Sequence, residues 1–90
     1  SSLNVPNSSK PDNSPQMETE LWRDKFYQGT LRLLLGNAKS AEQFLKECNS
    51  IKQTPEGANN LGAASYILGK RDKAEKSFKT ALSFSEGNAI

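Results

Sequence analysis

A repeat of 33 residues constrains this chain more than any other feature of its sequence. Identical pairs at that spacing include Gly29 with Gly62, Leu35 with Leu68, Gly36 with Gly69, Ala41 with Ala74, Glu42 with Glu75 and Lys46 with Lys79. Repeats of this length are typical of stacked helix pairs, each of which is too thin to bury its apolar face alone. The repeat therefore predicts two similar helical units packed side by side.

The first part of the chain differs in composition from the repeats. Residues 1–20 hold three of the four prolines, five serines and three asparagines, but only three apolar residues. Such a segment cannot bury enough apolar surface to order itself. We therefore expect residues 1–17 to form a disordered tether and residues 18–90 to form the folded domain.

The first two predicted helices follow from apolar spacing and from stop signals. Beyond the tether, apolar residues recur at helical spacing and nowhere alternate at the period of a strand. The first helix should run from about Glu18 to Leu35 and stop at Gly36, because glycine readily adopts the left-handed conformation that ends helices. Ser40 with Gln43 is a capping-box pattern that predicts the start of a second helix, which fades by Lys52.

The second pair of helices has the clearest start signal in the chain. Thr54 offers a capping oxygen, Pro55 presets the first helical φ, and Glu56 places a negative charge at the positive end of the helix. This third helix should end at Leu68, and a fourth should reach about Phe84. The sequence thus predicts an all-α fold of two tandem antiparallel helix hairpins.

The second repeat, about residues 55–88, resembles a tetratricopeptide repeat. Residues at the spacings of that family are Leu61, Gly62, Tyr66, Gly69, Ala74, Phe78, Ala81 and Leu82. The chain departs from the family at Ala58, Ser65 and Glu86, where tryptophan, tyrosine and proline are frequent. The resemblance implies a fragment of a right-handed α-solenoid.

The first repeat, about residues 21–54, fits the same family less closely. Gly29, Gly36, Ala41 and Leu45 fit, whereas Gln28 and Arg32 fall where apolar packing residues are expected. The first helix is therefore expected to be rotated, longer or shifted by one residue.

Tetratricopeptide arrays are scaffolds whose first helices line a concave groove for a peptide or a helix of a partner protein, and the resemblance implies that role here. By register, the groove would be lined by Arg23, Phe26, Thr30, Leu33, Glu56, Asn59, Asn60, Ala63 and Tyr66. Aromatic anchors and backbone-binding asparagines suit peptide recognition. Phe26, Leu33 and Tyr66 are equally compatible with an ordinary inter-helix core, while Asn59 and Asn60 are expected to be exposed and free.

The residue inventory argues against most other functions. With no histidine and one cysteine, the chain lacks the parts of common zinc, haem, serine-hydrolase and thiol-protease sites. Cys48 lies on an apolar helix face and is expected to be a buried small hydrophobe. We expect no enzyme activity, no cofactor and no metal. The net charge of +2 and a pI near 8.8 do not indicate nucleic-acid binding.

Features of the last helix leave an alternative function open. Leu82 and Phe84 are apolar and close to the end of the second repeat, which favours self-association or docking into a larger complex. The basic run of residues 70–79 is interpreted as a solvated outer face. No apolar run is long enough to span a membrane.

The compartment is left open by the sequence. A chain of this kind is expected either in the cytoplasm or in a bacterial envelope. The Ser-Ser start and the tether resemble the mature beginning of an envelope lipoprotein, and lipoproteins with such repeats aid pilus or secretion assembly.

Overall fold

The computed structural model describes residues 15–86, which form four α-helices. The helices are α1 (Pro15–Leu34), α2 (Ala38–Ile51), α3 (Pro55–Ile67) and α4 (Arg71–Ser85). α1 packs along α2 and α3 packs along α4, while α2 also packs on α3 and joins the two pairs. The connections are short, so consecutive helices run antiparallel. The predicted all-α fold of two helix hairpins is confirmed.

The sequence repeat is also a structural repeat. Gly36 and Gly69, at equivalent positions, both adopt positive φ, at 85° and 80°. After each glycine the next backbone N–H bonds back to the last turn of the helix. Asn37 donates to the Arg32 carbonyl at 2.8 Å, and Lys70 donates to the Ser65 carbonyl at 2.8 Å. The same glycine-dependent ending therefore closes α1 and α3.

Each hairpin is closed at a glycine of its first helix. A Cβ added at Gly29 would lie 2.6 Å from Cγ of Leu45, and one added at Gly62 would lie 2.7 Å from Cε1 of Phe78. Leu45 is fully buried and forms the centre of the core with Ala41 and Ala64. A large side chain of the second helix thus fills the space that each glycine leaves open.

The start of α3 confirms the prediction made from its sequence. The Thr54 hydroxyl accepts a hydrogen bond from the Gly57 amide at 3.0 Å, and Pro55 is the first helical residue. The predicted start of α2 was wrong, whereas its predicted end by Lys52 is confirmed. That helix begins at Ala38 and is capped by Asn37, whose side-chain oxygen accepts from the Ser40 amide at 3.2 Å, so Ser40 lies inside the first turn rather than at the cap.

The first helix is longer than its counterpart. α1 spans 20 residues and α3 spans 13, yet both end in register. α1 begins at Pro15, three residues before the predicted start and inside the segment predicted to be a tether. The rest of that segment lies outside the described residues, as do residues 87–90.

Arg32 lies at a position of α1 where an apolar residue was expected. Its guanidinium lies 5.4 Å from the centre of the Phe44 ring, a packing contact that a cation can make.

Candidate functional site

The predicted groove residues lie on α1 and α3. Most of them occupy equivalent positions in the two repeats: Arg23 with Glu56, Phe26 with Asn59, Thr30 with Ala63 and Leu33 with Tyr66. We call this surface the α1/α3 face, and it consists of these eight residues and Asn60. α1 and α3 make only a small direct contact, because α1 packs mainly on α2 and α3 packs mainly on α4.

The second repeat supplies the open part of the α1/α3 face. Glu56, Asn59 and Tyr66 are exposed, and the Tyr66 side chain is 62% accessible. Together with the half-buried Ala63 they are spaced three, four and three residues apart, so they form one stripe along α3. An aromatic ring and a side-chain amide are thus exposed on the same stripe, about two helical turns apart.

The first repeat supplies the more buried part of the face. Arg23 is exposed, but Phe26 and Leu33 are half-buried and pack against the central core. The sequence was compatible with either a groove or a core role for Phe26, Leu33 and Tyr66. In the structure Phe26 and Leu33 pack on the central core, whereas Tyr66 is not part of it.

A hydrogen bond across the α1/α3 face corrects one sequence prediction. Asn60 was expected to be free, but its side-chain amide donates to the Thr30 hydroxyl at 3.0 Å, and the pair is partly buried. The two residues are 30 positions apart in the sequence, so this bond ties α1 directly to α3. Asn59, which was expected to be exposed, is exposed.

One aromatic residue at the edge of the face was not assigned a role from sequence. Trp22 stacks on Phe26, with ring centroids 5.0 Å apart and planes 8° from parallel. Its indole N–H donates to the Lys52 carbonyl at 3.1 Å, which links α1 to the end of α2. The spacing of four residues between the two aromatics, one helical turn, is the signal that predicts such a pair.

The alternative interface is contiguous with the α1/α3 face. Leu82 is 57% exposed on α4, whereas Phe84 is half-buried. A cleft of about 350 Å³ is lined by Leu82 together with Glu56 and Asn59. The two surfaces predicted separately from sequence therefore meet at the junction of α3 and α4.

A second surface was missed by sequence reasoning. α2 and α4 border a cleft of about 430 Å³ whose floor is formed by α3, and three lysines line it: Lys46, Lys73 and Lys76. We call this the cationic cleft. The basic run of α4 was visible in the sequence, but Lys46 joins it only because the two helices come together in the fold.

Cys48 is buried and unsuited to catalysis. Its side chain has no accessible surface, and burial raises the pKa of the thiol to about 11, although a hydrogen bond with Trp22 opposes that shift. The thiol therefore stays protonated at neutral pH and is a poor nucleophile. Among residues 15–86, no cluster of three or more histidine, cysteine or carboxylate side chains is placed to hold a metal ion.

Two further findings bear on function. None of the four helices is long and apolar enough to cross a membrane. In comparisons with known proteins, no family model, no curated protein and no solved structure matches the chain. Function is therefore inferred from the placement and chemistry of the residues themselves.

Proposed function

We propose that this chain is a non-enzymatic interaction module of the tetratricopeptide type, which binds a peptide or a helix of a partner protein on the α1/α3 face. The observation that carries the proposal is the exposed stripe of Glu56, Asn59 and Tyr66 along α3. Tyr66 is 62% accessible and suits partner binding, because a tyrosine ring gives a large contact area at little entropic cost.

The chemistry of the face suits a peptide chain. Asn59 has both a donor and an acceptor, so one side chain can pair with the N–H and the C=O of an extended backbone. Arg23 on α1 and Glu56 on α3 carry opposite charges, so a peptide with charges of both signs is favoured in one orientation along the face. The bond between Asn60 and Thr30 holds the two helices at a set spacing before any partner arrives, and preorganisation of this kind improves affinity.

Peptide display tests this proposal. Peptides would be selected on the full chain, and the affinity of the best one would be measured for three proteins: wild type, the double variant Asn59→Ala, Tyr66→Ala, and the control Gln43→Ala, whose side chain is exposed on α2. We expect the double variant to bind at least about tenfold more weakly while the control is unchanged. Equal affinity for all three, with equal helix content by circular dichroism, would refute the proposal.

A second candidate function is favoured by apolar residues at both ends of the helix stack. Leu31 on α1 is 40% exposed, whereas its equivalent in the second repeat, Ala64, is fully buried against the first repeat. Tyr27 beside it is 68% exposed, and Leu82 is exposed at the other end. We propose that copies of the chain can stack end to end through α4 and α1, as the two repeats do within one chain.

Sedimentation velocity distinguishes this assembly function from the adaptor function. Stacking predicts that the mean mass rises with concentration, that Leu82→Ser abolishes the rise, and that Lys79→Ser on the same helix does not. A wild-type chain that stays monomeric over the whole concentration range contradicts stacking and leaves the adaptor proposal standing.

A further inference from the structure

The cationic cleft carries an inference that does not depend on the α1/α3 face. Lys46 projects from α2, while Lys73 and Lys76 project from α4, and no carboxylate is among the residues that line the cleft. Its volume of about 430 Å³ is within the range of about 300 to 1,000 Å³ usual for ligand sites. We propose that the cleft binds an acidic peptide segment of a protein partner.

The lysines of the cleft differ from three other lysines of the fold in having no ion-pair partner. Lys25, Lys70 and Lys79 each form an ion pair with a glutamate, at 2.9, 2.9 and 3.5 Å. Within residues 15–86, Lys46, Lys73 and Lys76 form no such pair. Three ammonium groups around one concave surface, without an internal counter-charge, create a positive potential that attracts an anionic ligand.

One buried acid, Glu42, acts on two of the cleft lysines but forms its ion pair elsewhere. Glu42 is buried at 7% accessibility, and both of its carboxylate oxygens accept from the Lys70 ammonium, at 2.9 and 3.0 Å. Lys46 and Lys73 interact with this carboxylate electrostatically, but the hydrogen-bonded partner is Lys70, which lies outside the cleft lining. The ammonium groups of the three cleft lysines therefore stay open to a ligand.

The hydroxyl groups of the cleft favour a peptide over a simple anion. Ser50 donates to the Glu47 carbonyl at 2.7 Å, and Thr80 donates to the Lys76 carbonyl at 3.1 Å. Because their protons are used within their own helices, these hydroxyls offer only lone pairs to a ligand. A carboxylate ion has no donor for them and a phosphate ion offers only its own O–H, whereas a peptide supplies several backbone N–H groups together with acidic side chains.

The shape and composition of the cleft favour a peptide over a membrane or a nucleic acid. The floor is apolar in part, with Ala58 buried and Leu61 half-buried, and it is recessed between two helices. A bilayer surface cannot enter such a recess, whereas a single extended chain can. No arginine and no aromatic side chain lines the cleft, so base stacking of the kind that single-stranded nucleic acids require is missing.

Fluorescence anisotropy with labelled octaglutamate tests the proposal on the full chain. The cleft variant carries Lys46→Gln, Lys73→Gln and Lys76→Gln. The matched control carries Lys39→Gln, Lys52→Gln and Lys79→Gln, which removes the same charge from exposed lysines outside the cleft. We expect the cleft variant to bind at least about tenfold more weakly than wild type and the control to bind within about twofold.

Four results would overturn the proposal. Octaglutamate that does not bind wild type would refute it directly. The first further result is an equal loss in both variants, which would mean that only net charge matters. The second is equal competition by inorganic phosphate, which would indicate an anion site without peptide selectivity. The third is binding to phosphatidylserine vesicles in place of octaglutamate. The double variant Asn59→Ala, Tyr66→Ala should bind octaglutamate as wild type does, so failure here is separable from failure of the α1/α3 face.

Discussion

The ring of Phe78 packs so closely on Gly62 that a Cβ at the glycine would lie 2.7 Å from Cε1 of the ring. Leu45 has the same relation to Gly29 in the first hairpin, where the distance to Cγ would be 2.6 Å. Real Cβ atoms do not approach neighbours at such distances. Both hairpins are therefore held together at a point where the first helix has no side chain.

The contact between Gly62 and Phe78 predicts the effect of adding one methyl group. Gly62→Ala should lower the free energy of unfolding by about 1 to 2 kcal/mol, because overpacking outweighs the better helix propensity of alanine, which is worth about 1 kcal/mol. Urea denaturation followed by circular dichroism measures the change.

The variant Phe78→Leu serves as the partner in a double-mutant cycle. In that background Gly62→Ala should cost less than in wild type, because the smaller side chain leaves room for the methyl group. Equal costs in the two backgrounds would show that the two residues do not clash.

The cap of α2 gives a second prediction. Asn37→Ala should lower the free energy of unfolding by about 1 kcal/mol, since the Ser40 amide loses its acceptor. Ser40→Ala should change it by no more than about 0.5 kcal/mol, because the Ser40 side chain is not the cap. The same denaturation measurement applies to both variants, and the reverse order of effects would restore Ser40 as the capping residue.

Local signals account for most of what was predictable about the fold. The Thr54-Pro55-Glu56 start and the stops at Gly36 and Gly69 act through neighbouring atoms only, and all three were correct. The start of α2 was misplaced because Asn37 does two things at once. Its backbone N–H closes the end of α1, and its side chain caps α2, so one residue serves the end of the first helix and the start of the second.

The ion pair between Lys70 and Glu42 gives a third prediction. Lys70→Met should lower the free energy of unfolding at pH 7 by about 1 to 2 kcal/mol, a modest figure because the lysine is 40% exposed. Lys79→Met should have no measurable effect, because Lys79 and its partner Glu75 are both well exposed. Thermal denaturation of both variants provides the measurement.

The pH dependence of the Lys70→Met effect follows from the charge on Glu42. Burial alone would raise the pKa of Glu42, but the hydrogen bond from Lys70 and the charges of Lys46, Lys70 and Lys73 outweigh it, so the pKa falls below its ordinary value of 4.5. Stabilisation by the ionised carboxylate is therefore complete above about pH 4.5 and is lost as the pH falls through the lowered pKa. The difference between wild type and Lys70→Met should shrink over that range. A difference that stays constant down to acid pH would contradict the role of the charge.

The thiol of Cys48 provides a fourth prediction. Because the side chain is fully buried and its pKa is about 11, Ellman's reagent should react with the native chain only as fast as the chain opens. In urea the reaction should be immediate. Immediate reaction in the native state would show that the thiol is accessible.

The raised pKa of Cys48 also means that the free energy of unfolding falls as the pH rises from about 9 towards about 11.

Long-range contacts set the limit on what was predictable about the candidate site. The exposure of Asn59 followed from its helical register, but the partner of Asn60 is a threonine 30 residues earlier on another helix. Likewise, Lys46 reaches the cationic cleft only through the packing of α2 beside α4 on a shared α3 floor. Neither relation leaves a local pattern in the sequence, since both depend on how the hairpins stack.

Backbone amide chemical shifts, recorded by NMR while a display-selected peptide is added to the full chain, show directly which surface binds the peptide. We expect the largest shift changes on the α1/α3 face, around Arg23, Asn59 and Tyr66, and we expect them to vanish in the Asn59→Ala, Tyr66→Ala variant. Changes centred on the cationic cleft or at Leu82, with the α1/α3 face unaffected, would contradict the proposed function.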